Sequence, residues 1–228
     1  SINEDLDLST EIINDAILIK SYGVSAHGST PELGKNAIMQ LFKFLGTIPI
    51  GNNELSNIVE FFNTYVAFET DGTSLGINLH DNISGYLSFN IGAIYIYKYK
   101  ITMKLNVRYP IESCLNDMLI PFEEKLKPTG LKIENMWHKA PLYFPKNHPL
   151  ISTLQKVYTE ETGLPSDLLS IGMGTYAKEI PNIVAFGPIL PGREDLDHKA
   201  NENIEIDDLI LNTKIYARAI YELANLES

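Results

Sequence analysis

The sequence predicts an α+β fold, an antiparallel sheet covered by helices, over about the first 140 of its 228 residues, with a shorter α/β segment after it. Three observations carry this. From Ile91 to Tyr109 apolar and polar side chains alternate, the period-two signature of a strand. Around it, helical and extended patterns succeed one another in the order β, α, β, β, α, β, which suits helices packed on an antiparallel sheet. From Ala140 to Pro149 the chain then changes character, with Pro141, Pro145 and Pro149 spaced through a polar and aromatic stretch. That stretch is the expected boundary between residues 1–140 and 141–228. The second part, about 88 residues with few strand signals, is thin for an α/β domain on its own, so its sheet is expected to continue in sequence outside this chain.

The elements follow in order. The apolar run Ala16 to Tyr22 predicts a strand. Pro31 fits the first helical position, where its missing N–H costs nothing, and Thr30 is the candidate cap. Ala37, Ile38, Leu41, Phe42 and Leu45 continue with helical spacing to a stop at Gly46. On this reading His27 lies just ahead of a helix N-terminus. Ile58 to Phe68 predicts a helix packed through Phe61, Phe62 and Tyr65. In the strand from Ile91 to Tyr109, the odd positions Tyr95, Tyr97, Tyr99, Ile101, Met103, Leu105 and Val107 are expected to face a core. Arg108 then projects from the polar face where Tyr109-Pro110 ends the pairing. A helix over Ser113 to Lys127, a strand over Leu131 to Trp137, a helix from Leu150 to Gly163 and a short buried strand from Ile183 to Phe186 complete the pattern. A last helix, capped by Asp207 or Asp208, carries Leu211, Ile215, Ala219 and Leu223 on one face.

Composition narrows the function. With 44% hydrophobic residues the chain can build a core, and a formal charge of -11 leaves no basic footprint for nucleic acid or anionic lipid. No run reaches the roughly 18 apolar residues of a membrane span. A single cysteine, Cys114, cannot close an internal disulfide, which fits a reducing cytoplasm. The start, Ser1-Ile2-Asn3-Glu4-Asp5, lacks the features of a secretory signal and reads as a chain entered midway.

Two histidine loops hold the candidate chemistry: Ser25-Ala26-His27-Gly28-Ser29-Thr30-Pro31-Glu32, and Pro191-Gly192-Arg193-Glu194-Asp195-Leu196-Asp197-His198. His198 is either a turn histidine or a metal ligand whose second ring N–H is held by a neighbouring carboxylate. His27 is either part of a small polar turn or a donor to a developing oxyanion. Arg108 is either the solvated end of a strand or a planar fork for a substrate carboxylate. Gly172-Met173-Gly174-Thr175 is either an ordinary turn or a place where backbone N–H groups approach a small anion. A hydrolytic metal centre needs three or more ligands and a base, and this chain offers one candidate ligand and no base.

Taken together, the motif from Ser25 through Ala37, Asn106-Val107-Arg108-Tyr109-Pro110, Gly172-Met173-Gly174-Thr175-Tyr176-Ala177, and Phe186-Gly187-Pro188 through His198 and Glu202 resemble four motifs of one family. That family is the zinc-dependent dipeptidases, aminoacylases and carboxypeptidases, whose catalytic domain is interrupted by a lid. The chain is most similar to the PepV-type dipeptidases, which are carnosinase-like and act on Xaa-His peptides. The resemblance implies that residues 1–140 are an incomplete lid and 141–228 the C-terminal portion of an α/β catalytic domain. It implies that His198 ligates one of two zinc ions, that His27 stabilises the tetrahedral oxyanion, and that Arg108 holds the terminal carboxylate of a small peptide. Backbone groups from Gly172 to Thr175 would assist binding. The other zinc ligands and the general base would lie in an N-terminal half absent from this chain, so the isolated chain is expected to be inactive. Two alternatives stay open: a free-standing binding module derived from the same fold, and part of an aminoacylase or desuccinylase.

Overall fold

A computed structural model describes residues 6–98, 100–187, 189–197 and 201–226. The chain divides into two compact units, Ser1–Pro141 with Ser170–Met173, and Leu142–Leu169 with Gly174–Ser228.

The first unit opens with a hairpin, β1 (Leu8–Ile13) and β2 (Ala16–Ser21), turned by Asn14 and Asp15 at φ 50° and 62°. Left-handed φ at both turn positions matches the right-handed twist of the strands, and Asn and Asp tolerate it best after Gly. Gln40, 1% exposed, fastens this hairpin to helix α1 (Ala37–Leu45). Its amide donates to Tyr22 O at 2.5 Å and accepts from Asp7 N–H at 2.9 Å. Helix α2 (Glu54–Tyr65) begins at a capping box between Asn53 and Ser56 and buries Ile58, Val59, Phe61 and Phe62, with Phe62 stacked on Phe42 at 4.5 Å.

After the two-residue strands β3 (His80–Asp81) and β4 (Gly85–Tyr86) comes the longest hairpin, β5 (Ser88–Tyr97) with β6 (Lys100–Arg108). Helix α3 (Leu115–Leu126) packs against the resulting core through Met118, Phe122 and Leu126, around the fully buried Leu75, Ile77 and Leu87.

Several expectations are corrected. The single strand from Ile91 to Tyr109 is two strands: the chain reverses after Tyr97, with Lys98 at φ 52°, so Tyr97 pairs with Lys100. The register also shifts between Ile91 and Ala93. Because side chains alternate with period two, this bulge at Gly92 moves the core face from odd to even positions within β5. Phe89, Ile91 and Ile94 pack inward, while Tyr95 and Tyr97 are exposed on the face shared with Lys100, Thr102, Lys104, Asn106 and Arg108. In β6 the odd positions Ile101, Met103, Leu105 and Val107 do meet the core. Tyr99 lies outside the described residues.

Among the described residues, the continuous sheet becomes three separate two-stranded ladders. Leu131 and Ile133 pack on the core, but residues 131–137 form no strand among the described residues. The helix expected from Pro31 is a single 3-10 turn, Pro31–Leu33, and Thr30 makes no side-chain cap. Gly34 is extended there, and α1 starts only at Ala37, capped by Asn36.

The second unit pairs helix α4 (Pro149–Thr162) with helix α5 (Ile206–Ala224) through Leu154, Val157, Ile215 and Ala219, flanked by Leu150, Tyr158, Leu211 and Leu223. Gly163, at φ 70°, terminates α4 as a left-handed cap. Val184 and Phe186 pack on this pair, yet residues 183–186 join no ladder among the described residues. Glu205 is the N-cap of α5 in place of Asp207 or Asp208, and both aspartates fall in the first turn, where the helix dipole favours them.

Candidate active site

The His27 loop is closed at its neck by a two-bond bridge, Val24 N–H to Lys35 O at 3.0 Å and Lys35 N–H to Val24 O at 2.9 Å. The backbones approach so closely that a Cβ on Gly23 would sit 2.4 Å from Lys35 O and one on Gly34 would sit 2.6 Å from Val24 O, so both positions require glycine. Asn36 then fixes the loop's exit. Its side-chain oxygen accepts from Ile38 and Met39 N–H while its amide donates to Asn90 Oδ1 at 3.2 Å and Ile91 O at 3.0 Å, tying the start of α1 to β5.

Within this closed loop His27 to Thr30 form a turn, Thr30 N–H donating to His27 O at 2.9 Å. His27 is exposed, and its Nδ1 lies 2.7 Å from Ser29 Oγ and 3.3 Å from Ser29 N. The turn leans on β6: a Cβ at Gly28 would lie 3.4 Å from that of Asn106. Two residues along the same face of β6, Arg108 donates from Nε to Gly172 O at 3.0 Å. Gly172 is in turn pressed on the histidine turn, since a Cβ there would stand 2.3 Å from Ser29 Cβ. His27, Ser29, Asn106, Arg108 and Gly172 thus come together within the first unit, although Arg108 and Gly172 are 64 residues apart.

Arg108 is half-buried, and burial pushes its pKa below the usual value, although a guanidinium stays protonated. Among the described residues no carboxylate pairs with it, and only Nε is bonded, which leaves both terminal nitrogens of the fork uncommitted. A partly desolvated cation without a counter-charge favours an anion beside it. Met173 belongs to the first unit with Gly172, while Gly174 and Thr175 belong to the second, where Thr175 accepts from Ala177 N–H at 3.3 Å and caps a 3-10 turn.

His198 lies outside the described residues. The loop before it turns at Pro191-Gly192, with Gly192 at φ 83° and Arg193 N–H donating to Leu190 O at 3.1 Å. Arg193 grips Asp208 bidentately at 2.7 and 2.9 Å and Glu205 at 3.0 Å, which raises its own pKa through the Asp208 hydrogen bonds and charge. Among the described residues no group of three or more His, Cys, Asp or Glu side chains could hold a metal ion.

Two contributors had no role assigned from sequence. Ser29 was visible only as part of a motif. Asn106 could have been singled out, because it shares a strand face with Arg108 at a spacing of two.

Residues 14–222 match the model of the family described as Peptidase family M20/M25/M40. Similar chains include bacterial proteins whose names class them provisionally as dipeptidases. YtjP of Bacillus subtilis is 36% identical over 217 residues, covering 93% of this chain and 45% of its own length. A Staphylococcus epidermidis protein is 35% identical over 213 residues, 92% of this chain and 45% of its own. A Staphylococcus saprophyticus protein is 30% identical over 224 residues, 97% of this chain and 48% of its own. The chain thus spans about half the length of these relatives. A family match over nearly the whole chain leads to a single assignment: the chain belongs to peptidase family M20/M25/M40.

Proposed function

We propose that the chain is the lid, about residues 1–140, and the C-terminal portion, 141–228, of a zinc-dependent cytoplasmic dipeptidase that hydrolyses small peptides bearing a free carboxylate. The names of its relatives support the reaction class. One observation carries the substrate assignment: Arg108 is anchored through Nε to Gly172 O, so its two terminal nitrogens present a preoriented fork next to the His27 turn, with no carboxylate of the described chain occupying it. A planar fork of this kind binds a carboxylate through two parallel bonds. In this reading His27 donates a hydrogen bond to the oxyanion of the tetrahedral intermediate, and backbone groups between Gly172 and Thr175 help to seat the peptide. His198 supplies one metal ligand, and the remaining ligands and the base come from an N-terminal half. The second unit is consistent with being part of a larger domain. Leu169, Tyr176, Ile206 and Ile220 are 84, 89, 76 and 69% exposed, apolar surface that a neighbouring layer would cover.

The test is made in a protein completed with its N-terminal half. Arg108→Ala should lower kcat/KM for free dipeptides by the equivalent of about 2 to 5 kcal/mol, the order seen when a desolvated charge pair loses one partner, and change little for dipeptide amides. Lysine should rescue in part, since a point charge cannot reproduce the fork. An equal loss on the amide would show that Arg108 supports structure instead. The 228-residue chain alone should show no dipeptide turnover with or without added zinc; metal-dependent turnover by it would overturn the division of the site between two halves.

A further inference from the structure

We propose that Ser29 is a positioning residue that holds His27 in the tautomer carrying its proton on Nε2, so that the ring presents an N–H donor away from the turn. The proposal rests on the reading of His27 as an oxyanion donor, but its test does not depend on activity.

Two groups of Ser29 converge on one ring nitrogen. The backbone N–H of Ser29 reaches His27 Nδ1 at 3.3 Å, and the Ser29 hydroxyl lies 2.7 Å from the same atom. A backbone N–H can only donate, so Nδ1 must offer its lone pair, and the hydroxyl, whose rotation is otherwise free, then donates to it as well. With the proton on Nδ1 instead, the ring would donate to the hydroxyl and leave the Ser29 N–H facing another N–H. The hydroxyl alone could serve either tautomer and the longer backbone contact alone is weak; acting together they favour one. A neutral ring whose Nδ1 accepts carries its hydrogen on Nε2. Among the described residues Nε2 has no partner, and the ring is exposed, so that hydrogen is available to a ligand.

Ser29 is itself held. Its Cβ occupies the space that a side chain on Gly172 would need, and the carbonyl of Gly172 receives Nε of Arg108. The serine that sets the histidine's donor therefore bears on the glycine that orients the arginine's fork. Both donors are referenced to a single contact.

The tautomer can be read directly from long-range proton–nitrogen correlation spectra of the 15N-labelled chain under conditions where the ring is neutral, with the His27 signals assigned by their loss in His27→Gln. The expected result is His27 protonated on Nε2 alone. Ser29→Ala, which keeps the backbone N–H and removes the hydroxyl, should raise the Nδ1-protonated population from undetectable towards the share shown by a free histidine in water, and Ser29→Thr should restore the wild-type pattern. Should the alanine variant fail to fold, Ser29→Cys, with a similar shape and a weaker donor, carries the same comparison. A wild-type ring protonated on Nδ1, or a variant lacking the hydroxyl with an unchanged pattern, overturns the proposal. Kinetics that argue against a role for His27 in peptide hydrolysis would leave the spectroscopic result standing, so the two failures are distinguishable.

Discussion

Replacing Gly172 by alanine tests whether the clustered site is a packed unit. Gly172 does not use a backbone conformation reserved for glycine, so the substitution has no φ penalty and its cost is steric. The new Cβ would lie 2.3 Å from Ser29 Cβ and 3.0 Å from Ser29 Oγ. Carbon atoms prefer about 3.5 to 4.0 Å, so one side must retreat by more than about 1 Å. Such a retreat in a packed site costs about 1 to 3 kcal/mol. A ceiling applies, because Ser170–Met173 is short enough to peel off as a piece; peeling forfeits the Arg108 Nε bond to Gly172 O, about 1.5 to 3 kcal/mol for a bond from a charged donor before solvent takes its share at this exposed site. The expected loss is about 1 to 2 kcal/mol in urea denaturation, with faster solvent exchange of the Arg108 Nε–H in NMR spectra. Gly174→Ala is the control: nothing lies within 4 Å of its Cβ, so it should be neutral or stabilising by about 0.4 to 1 kcal/mol. If the two variants are equally stable and the Arg108 Nε–H signal is unmoved, Gly172 is not packed on Ser29 and the clustered site is refuted.

Two further outcomes follow from charge. For Asp81, burial alone would raise the pKa, but hydrogen bonds from Ser84 N–H, Glu112 N–H, the Ser84 hydroxyl and Ile83 N–H outweigh it and hold the carboxyl well below its ordinary 3.8. A depressed folded pKa means stabilisation that is full above 3.8 and drains as pH falls towards the folded value, so thermal melts of Asp81→Asn should lie below wild type at neutral pH and converge with it in acid; a gap that widens in acid would reverse the sign of the argument. In the second unit Arg193→Lys should loosen the start of α5, because a single ammonium cannot make two parallel bonds to the nearly buried Asp208 and also reach Glu205; hydrogen exchange of the first turn of α5 should quicken, and unchanged protection would show that the fork is not needed there.

What could be read from the sequence depended on whether a local signal existed. Helices α3 and α4 fell within about two residues of expectation because their apolar spacing and their ends, Gly163 above all, are written in adjacent residues. The β5–β6 hairpin was hidden for the opposite reason. Its turn at Lys98 carries no Gly, Asn or Pro, and although a two-residue turn inverts which parity faces the core, the outward Tyr95 and Tyr97 happen to be aromatic at odd positions like the inward Ile101 to Val107, so two strands pass for one. Gly92 was the available warning, since a glycine inside a strand often marks a bulge, and that bulge alone decides that Tyr95 and Tyr97 face outward. β1 was missed because Leu8-Ser9-Thr10-Glu11-Ile12-Ile13 is mostly exposed and lacks a buried face to impose alternation. The site divides in the same way. That Arg108 ends the polar face of a strand is local, and the structure agrees. That its Nε would find Gly172, and Gly172 would find Ser29, is set by packing between segments 64 and 143 residues apart, for which no spacing in the sequence stands as a sign. Glycine marks the meeting after the fact. At 23, 34 and 172 its missing Cβ is what allows three strands of backbone to close around the histidine turn, whereas at 174 the same residue type has open space beside it. The two glycines of Gly172-Met173-Gly174 look equivalent in the sequence, and only the one against Ser29 is required by contact.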